Sequence, residues 1–246
     1  MRAARSARVT ARLLAREELE AGRRDGMFAL LEAHFEGVTR ERFESDLAEK
    51  NWVLLLEDEQ GLVGFSTLLL YESRATAEPV GVAYSGDTIV DPRAWATGAL
   101  PAAWIGAVCQ LRQNLAVPRL FWLLLTSGFR TYRLLPVFWR EFAPSCAGPS
   151  PAGLAQLRDT LAAERLGAAY DRSTGLARLP QPQVLRPHLR SVPHGRQDDP
   201  HVAFFLERNP GWERGDELVC LTEIAWSNLT PAGRRMWQRG LLSDLS

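Results

Sequence analysis

Apolar residues fall along the chain in two rhythms, one close to every second position and one close to every third or fourth. Their alternation lays out the elements. Val9 to Leu14 reads as a short first strand. Glu17 to Phe35 carries Leu19, Met27, Leu30, Leu31 and Phe35 at helical spacing, with Gly22 and Gly26 placed to split the helix in two. Thr39 can cap a second helix over Arg40 to Lys50, with Phe43 and Leu47 four apart on its inner face. Trp52 to Glu57 and Leu62 to Tyr71 are dense apolar runs around Asp58-Glu59-Gln60-Gly61, the pattern of a hairpin. Val80 to Val90 is a further strand ended by Asp91-Pro92. Gly98 to Asn114 reads as a helix, with Pro101 in its first turn. Leu120 to Leu125 reads as a fully buried strand, and Phe129 to Phe142 as an aromatic-faced helix that Pro136 kinks or interrupts.

Beyond residue 142 the pattern loosens. Ala143 to Pro151 has a linker composition, Gly153 to Leu166 reads as a helix, and Leu179 to Pro200 as a long Pro- and Arg-rich loop with the length of a lid. His201 to Leu206 and Glu217 to Ile224 are expected strands, joined through the turn at Asn209-Pro210-Gly211. Leu229 to Leu241 is expected as a last helix.

Composition narrows the class. The 246 residues, 46% of them hydrophobic, are enough for a sizeable core. With 29 basic and 29 acidic residues the net charge is zero, so no global field draws in nucleic acid or an anionic membrane. No apolar run approaches the ~20 residues of a membrane span, and residues 1–10 lack the apolar centre of a secretion signal. Lys50 is the only lysine, a bias read as that of a GC-rich genome. Three widely spaced cysteines (Cys109, Cys146, Cys220) suggest reduced thiols and a bacterial, cytoplasmic setting. The spacing of His188, His194 and His201 matches no metal motif, and no metal is expected. Eight tryptophans are many for this length. Core packing is the first reading for them, and an indole-walled ligand pocket the second.

One segment breaks its local pattern. Tyr84-Ser85-Gly86-Asp87-Thr88 sets two hydroxyl residues, a glycine and an acid in an otherwise apolar strand. Polar groups there cost stability unless they are paired or used. Gly86 marks a bulge or a close backbone approach. Asp87 is either a base whose pKa is lifted by burial, or a turn cap or core ion pair. Just downstream, Ile89-Val90-Asp91-Pro92 runs into Arg93-Ala94-Trp95-Ala96-Thr97-Gly98-Ala99-Leu100, a strand, loop and helix start suited to an anion.

The element order up to residue 142, with this strand-to-loop neighbourhood, resembles the GNAT superfamily of N-acetyltransferases. The resemblance implies an α/β (α+β) fold: a mixed, mostly antiparallel central sheet with helices on both faces. It divides the chain into a core at 1–142 and, at 143–246, a C-terminal extension that completes the sheet or the acceptor site. It implies an acyltransferase moving an acyl group from acyl-CoA to a small-molecule amine. Ile89, Val90, Arg93, Trp95, Thr97, Gly98 and Ala99 would hold the donor, and the catalytic residues would be Asp87 as the base, Tyr132 as the acid and Ser85 beside Asp87. The loop departs from the family pattern at its first glycine and at Pro101, so a carrier protein's thioester is a second candidate donor. A homodimer is left open. A GNAT-like binding module without transfer, or other thioester chemistry, is the alternative function.

Overall fold

The computed structural model describes residues 9–148 and 150–242. Eleven strands occur among them: β1 (Thr10–Ala15), β2 (Phe35–Glu36), β3 (Trp52–Asp58), β4 (Gly61–Ser73), β5 (Val80–Val90), β6 (Leu120–Thr126), β7 (Phe142–Ala143), β8 (Tyr170–Asp171), β9 (Leu176–Ala177), β10 (Val184–Leu185) and β11 (Glu217–Glu223). The α-helices are α1 (Ala21–His34), α2 (Arg40–Ala48), α3 (Ala99–Arg112), α4 (Phe129–Tyr132), α5 (Leu134–Phe138), α6 (Leu154–Leu166), α7 (Pro187–Arg190), α8 (Pro200–Arg208) and α9 (Pro231–Leu242).

Alternation within the strands divides the core. Leu54 and Leu56 of β3, with Trp122 and Leu124 of β6, face α3, α5 and α8, where Trp104, Trp122 and Trp139 stack with ring centroids 4.1, 5.0 and 6.4 Å apart. Val53, Leu55 and Phe65 point the other way, against Met27 and Leu31 of α1 and Phe43 and Leu47 of α2. Phe121, Leu123, Val219 and Leu221 meet Leu161 and Ala162 of α6. Helices therefore cover both faces.

The sheet runs β1-β3-β4-β5-β6-β11-β9-β8, with β7 also on β11. Every pairing is antiparallel except that of β5 with β6. That parallel pair is in register from Gly81↔Leu120 to Ser85↔Leu124 and pairs no further, although β5 continues to Val90. The two strands thus part at Ser85. β11, from the last third of the chain, lies beside β6 and supplies the next strand of the same sheet.

Three expectations are corrected. His201 to Leu206 is helical: Asp199 accepts the His201 N–H, Pro200 opens the helix, and Val202 and Phe205, three apart, are the buried residues. A short apolar run fits either period, and the cap decides it here. The aromatic stretch after β6 is not one helix. It breaks at Arg133 into α4 and α5, Pro136 sits in the first turn of α5, and Phe142 is already a strand residue. The 179–200 segment is pinned along its length: β10 pairs with β2, and Arg186 reaches the Glu32 carbonyl through Nε at 3.1 Å and Nη2 at 3.0 Å.

Candidate functional site

The parting of β5 from β6 coincides with a bulge. Across β4, Leu68 faces Ser85 and Ser66 faces Thr88, so Gly86 and Asp87 together oppose Thr67 alone. A bulge turns side chains away from the ladder, and the bulged strand here carries Asp87 into a cavity of about 460 Å³. Gly86 is required sterically. A Cβ there would lie 2.5 Å from Thr67 Oγ1 and 2.6 Å from Lys50 Cε, so the glycine is what lets Lys50 cross the strand.

Most of the charge on this larger cavity is matched. Arg42 pairs with Asp46 at 3.4 Å, Arg165 of α6 pairs with Glu49 just beyond α2, and Lys50 Nζ donates to the Asp46 carbonyl at 2.8 Å. Asp87 and Glu217 differ. Both line the cavity, both are half-buried, and neither carboxylate makes a hydrogen bond or ion pair among the described residues. Burial first, and then the neighbouring Asp46, push the Asp87 carboxyl up to about 6, while Lys50 and Arg42 pull it back. Burial, and then Asp87, push Glu217 up to about 7. Burial, and then Arg165, lower the pKa of Lys50. Asp87 is thus neither a turn cap nor a core ion pair. It is a carboxyl without a hydrogen-bond or ion-pair partner, with its pKa raised by burial.

A second cavity, of about 290 Å³, adjoins the first at the parted strands. Its walls are mainly apolar: Ile89 and Val90 of β5, Ala94, Trp95, the first residues of α3, Leu134, and Leu185 and Leu189 of the 179–200 segment. Phe35, Thr88, Ile89, Ser127 and Thr131 line both cavities and so mark their junction. His34, 8% exposed, lines the smaller one. Its Nδ1 lies 2.8 Å from the Leu30 carbonyl, which can only accept, so Nδ1 carries the proton. Its Nε2 is buried without a partner among the described residues.

The expected residues divide by position. Asp87 and Ser85 line the larger cavity, and Ser85 Oγ accepts the Trp122 indole N–H at 2.9 Å. Ile89, Val90, Trp95, Gly98 and Ala99 line the smaller one. Arg93 does not reach it. The side chain is exposed, 3.5 Å from Asp91 and hydrogen-bonded to Gln60 on the hairpin turn. Thr97 is spent on the local turn, donating to the Ala94 carbonyl at 2.7 Å and accepting the Ala99 N–H at 3.2 Å. Tyr132 is removed from both cavities: it is fully buried between Phe142, Phe204 and Phe205, and its hydroxyl donates to the Pro144 carbonyl at 3.1 Å. Burial drives its pKa far above the ordinary phenol range. Asp46 and Glu49, from α2 and the turn after it, also line the larger cavity.

The sequence reading missed Glu217, His34, Arg42 and Arg165. Glu217 opens an apolar strand, where an acid reads as a boundary, and His34 sits at the end of a helical pattern. Lys50 did carry a signal, since one lysine in a chain that otherwise uses arginine stands apart. Among the described residues no group of three or more His, Cys, Asp or Glu is placed to hold a metal, and no helix is long and apolar enough to cross a membrane.

No family model matches the chain, and no curated protein does. Solved structures similar to it include a probable N-acyltransferase from Enterococcus faecalis, 16% identical with a TM-score of 0.40, the match covering 55% of this chain and 33% of that one. A GNAT family N-acetyltransferase from Escherichia coli, in complex with CoA, is 15% identical with a TM-score of 0.39, over 56% of this chain and 72% of that one. An N-acetylglutamate synthase from Neisseria gonorrhoeae is 19% identical with a TM-score of 0.38, over 63% and 33%. The chain thus spans only a third of the length of the first and third of these. Among the described residues the strand order, with one parallel pair that parts at Ser85, makes a mixed, mostly antiparallel sheet consistent with a divergent GNAT-like fold.

Proposed function

We propose that the protein transfers an acyl group from a thioester to a small-molecule amine, with Asp87 taking the proton of the incoming ammonium. The observation that carries this reading is the meeting of two unlike cavities at the parted strands. One is apolar and suits an acyl-thioester arm, the other is lined by charge, and Asp87 stands unpaired beside their junction.

The chemistry follows from that arrangement. An amine attacks only as the free base, so a carboxylate must first take one proton from the ammonium. A group titrating near about 6 accepts that proton at neutral pH and returns it to water without a large barrier either way. The amine nitrogen then bonds to the thioester carbonyl carbon, the C–S bond breaks, and the second amine proton ends on the departing sulfur. The Ser127 and Thr131 hydroxyls line both cavities and are side-chain donors at the junction for that sulfur or for the carbonyl oxygen. The acid role expected of Tyr132 has no place here.

The acceptor is small, and its ammonium lies against Asp87. The donor is a CoA or carrier-borne thioester. The alternative of a binding module without transfer is disfavoured by the unpaired Asp87 and Glu217, whose burial costs stability with no structural return. The test is mass spectrometry of acetyl-CoA incubated with a panel of primary amines and the protein. Acetylated amine formed with wild-type protein and not with Asp87→Asn supports transfer. Free thiol without acylated amine would point to hydrolysis instead.

A further inference from the structure

We propose that the acceptor carries two amino groups, and that Glu217 determines specificity by pairing with the ammonium that is not acylated. The inference rests on the acyl-transfer reading for the amine that reacts at Asp87. The second cation subsite comes from the surroundings of Glu217 itself.

The register of the sheet places the two carboxylates. Ser85 of β5 is level with Leu124 of β6, so Asp87, two residues on, comes to the end of β6. Thr126, the last residue of β6, pairs with Leu218 of β11, so Glu217 comes to the same end from the other side. Asp87 and Glu217 therefore flank the end of β6, two strand spacings or about 10 Å apart at the backbone. Both side chains line the same cavity of about 460 Å³. One flexible molecule with a cation at each end can reach both.

The first residue of a strand ordinarily turns a charge to water. Glu217 is instead half-buried on a cavity that Leu125, Leu166 and Leu179 also line. Its backbone pairs with Ala177 of β9, and its carboxylate has no hydrogen-bond or ion-pair partner among the described residues. A carboxylate withdrawn from water without a partner costs stability, and an incoming cation offsets that cost.

The protein's own cations do not supply the partner. Arg42 pairs with Asp46 at 3.4 Å and Arg165 with Glu49. Lys50 Nζ donates to the Asp46 carbonyl at 2.8 Å and lies 5.6 Å from the centre of the Tyr84 ring. Lys50 and Arg42 both offset the charge of Asp87, whereas the offset at Glu217 comes from Arg42, already held by Asp46. Glu217 is thus the less compensated of the two acids. Arg42 Nη1 and Arg165 Nε are buried without partners, but each guanidinium already faces a carboxylate that balances its charge. The cavity therefore favours a second ammonium on the acceptor over a carboxylate.

The experiment compares acceptors that differ at one end. The diamines putrescine and cadaverine are set against butylamine, aminobutanol and γ-aminobutyrate. The full chain and acetyl-CoA are used throughout, with the rate read by thiol release and the product by mass spectrometry. The diamines are expected to exceed butylamine and aminobutanol by about ten- to a hundredfold in kcat/KM, mostly through KM, the size of one hydrogen bond to a charged group. Glu217→Gln keeps the volume and should bring the diamines down to the level of aminobutanol. Glu217→Asp, which keeps the charge, should recover part of the preference. A purely structural role for Glu217 would slow every acceptor alike and leave the preference in place, which would overturn the proposal. Equal rates for all acceptors with the wild type, or a preference for γ-aminobutyrate, would also overturn it and leave acyl transfer standing. These wild-type comparisons decide the matter even if a Glu217 variant fails to fold. If no amine is acylated, calorimetry with putrescine separates the two claims. Binding that Glu217→Gln weakens would support the cation subsite and overturn transfer, and no binding would overturn both.

Discussion

The two cavities share a junction and little else. The larger is walled by Arg42, Asp46, Glu49, Lys50, Asp87, Arg165 and Glu217, most of them already paired to one another. The smaller is walled by aliphatic and aromatic carbon, with one arginine that is fully engaged and one histidine acceptor. Charge left unpaired on the first side calls for a charged occupant, and on the second side there is almost none to answer. On the proposed reading, the charged side takes the ammonium and the apolar side the thioester, and the reacting atoms meet between them.

The largest effect expected is on the charged side. Asp87→Asn removes the proton acceptor without removing volume and should lower kcat/KM by about 10²–10⁴, with acetyl-CoA binding unchanged by calorimetry. Gly86→Ala comes next. The added methyl meets Thr67 and Lys50, so the bulge or the lysine must move. A loss of about 1–3 kcal/mol in thermal or denaturant unfolding is expected, with a lower rate, because Asp87 is the next residue on the same bulge. Tyr132→Phe, remote from both cavities, should cost about 1 kcal/mol for its bond to Pro144 and leave turnover near wild type, separating the structural tyrosine from the acid it was expected to be. Arg93→Ala should be the smallest, within about 0.5 kcal/mol in stability and without effect on the donor.

Stability should follow pH with a fixed sign. Asp87, at about 6, and Glu217, at about 7, hold their protons more tightly folded than unfolded. Their contribution is present below the ordinary carboxylate range and drains away as pH rises through those values. The melting temperature of the protein without ligand should therefore fall as pH rises from the ordinary carboxylate values of 3.8 and 4.5 to about 6 and about 7, and level off above. The double variant Asp87→Asn, Glu217→Gln should flatten that fall.

What the sequence made legible was set by local pattern. The hairpin of β3 and β4, the β5 strand and α3 announce themselves by periodicity, and Gly86-Asp87 by breaking it, where the structure has its bulge. Ile89, Val90, Trp95, Gly98 and Ala99, singled out by the strand-to-loop pattern, share the wall of one cavity. What failed depended on contacts no local pattern encodes. Arg93 looked free for an anion because its partner Gln60 is 33 residues away, across the hairpin. Tyr132 looked like an acid because its place after β6 was right, whereas Phe142, Phe204 and Phe205, contributed from later in the chain, bury it. Glu217 reaches the site only because β11 returns from the last third of the chain to pair with β6. His201 to Leu206 was misread for a local reason, since an apolar run that short fits two periods and only its Asp199 cap separates them.

The central claim is that Asp87 carries the amine's proton across the junction of the two cavities. The most direct measurement is the pH dependence of amine-dependent thiol release at low substrate, for wild type and Asp87→Asn. The account predicts a rate that rises with pH through a midpoint of about 6, and a variant that is slow and has lost that inflection. An unchanged inflection in Asp87→Asn, or thiol release that does not depend on the amine, would contradict it.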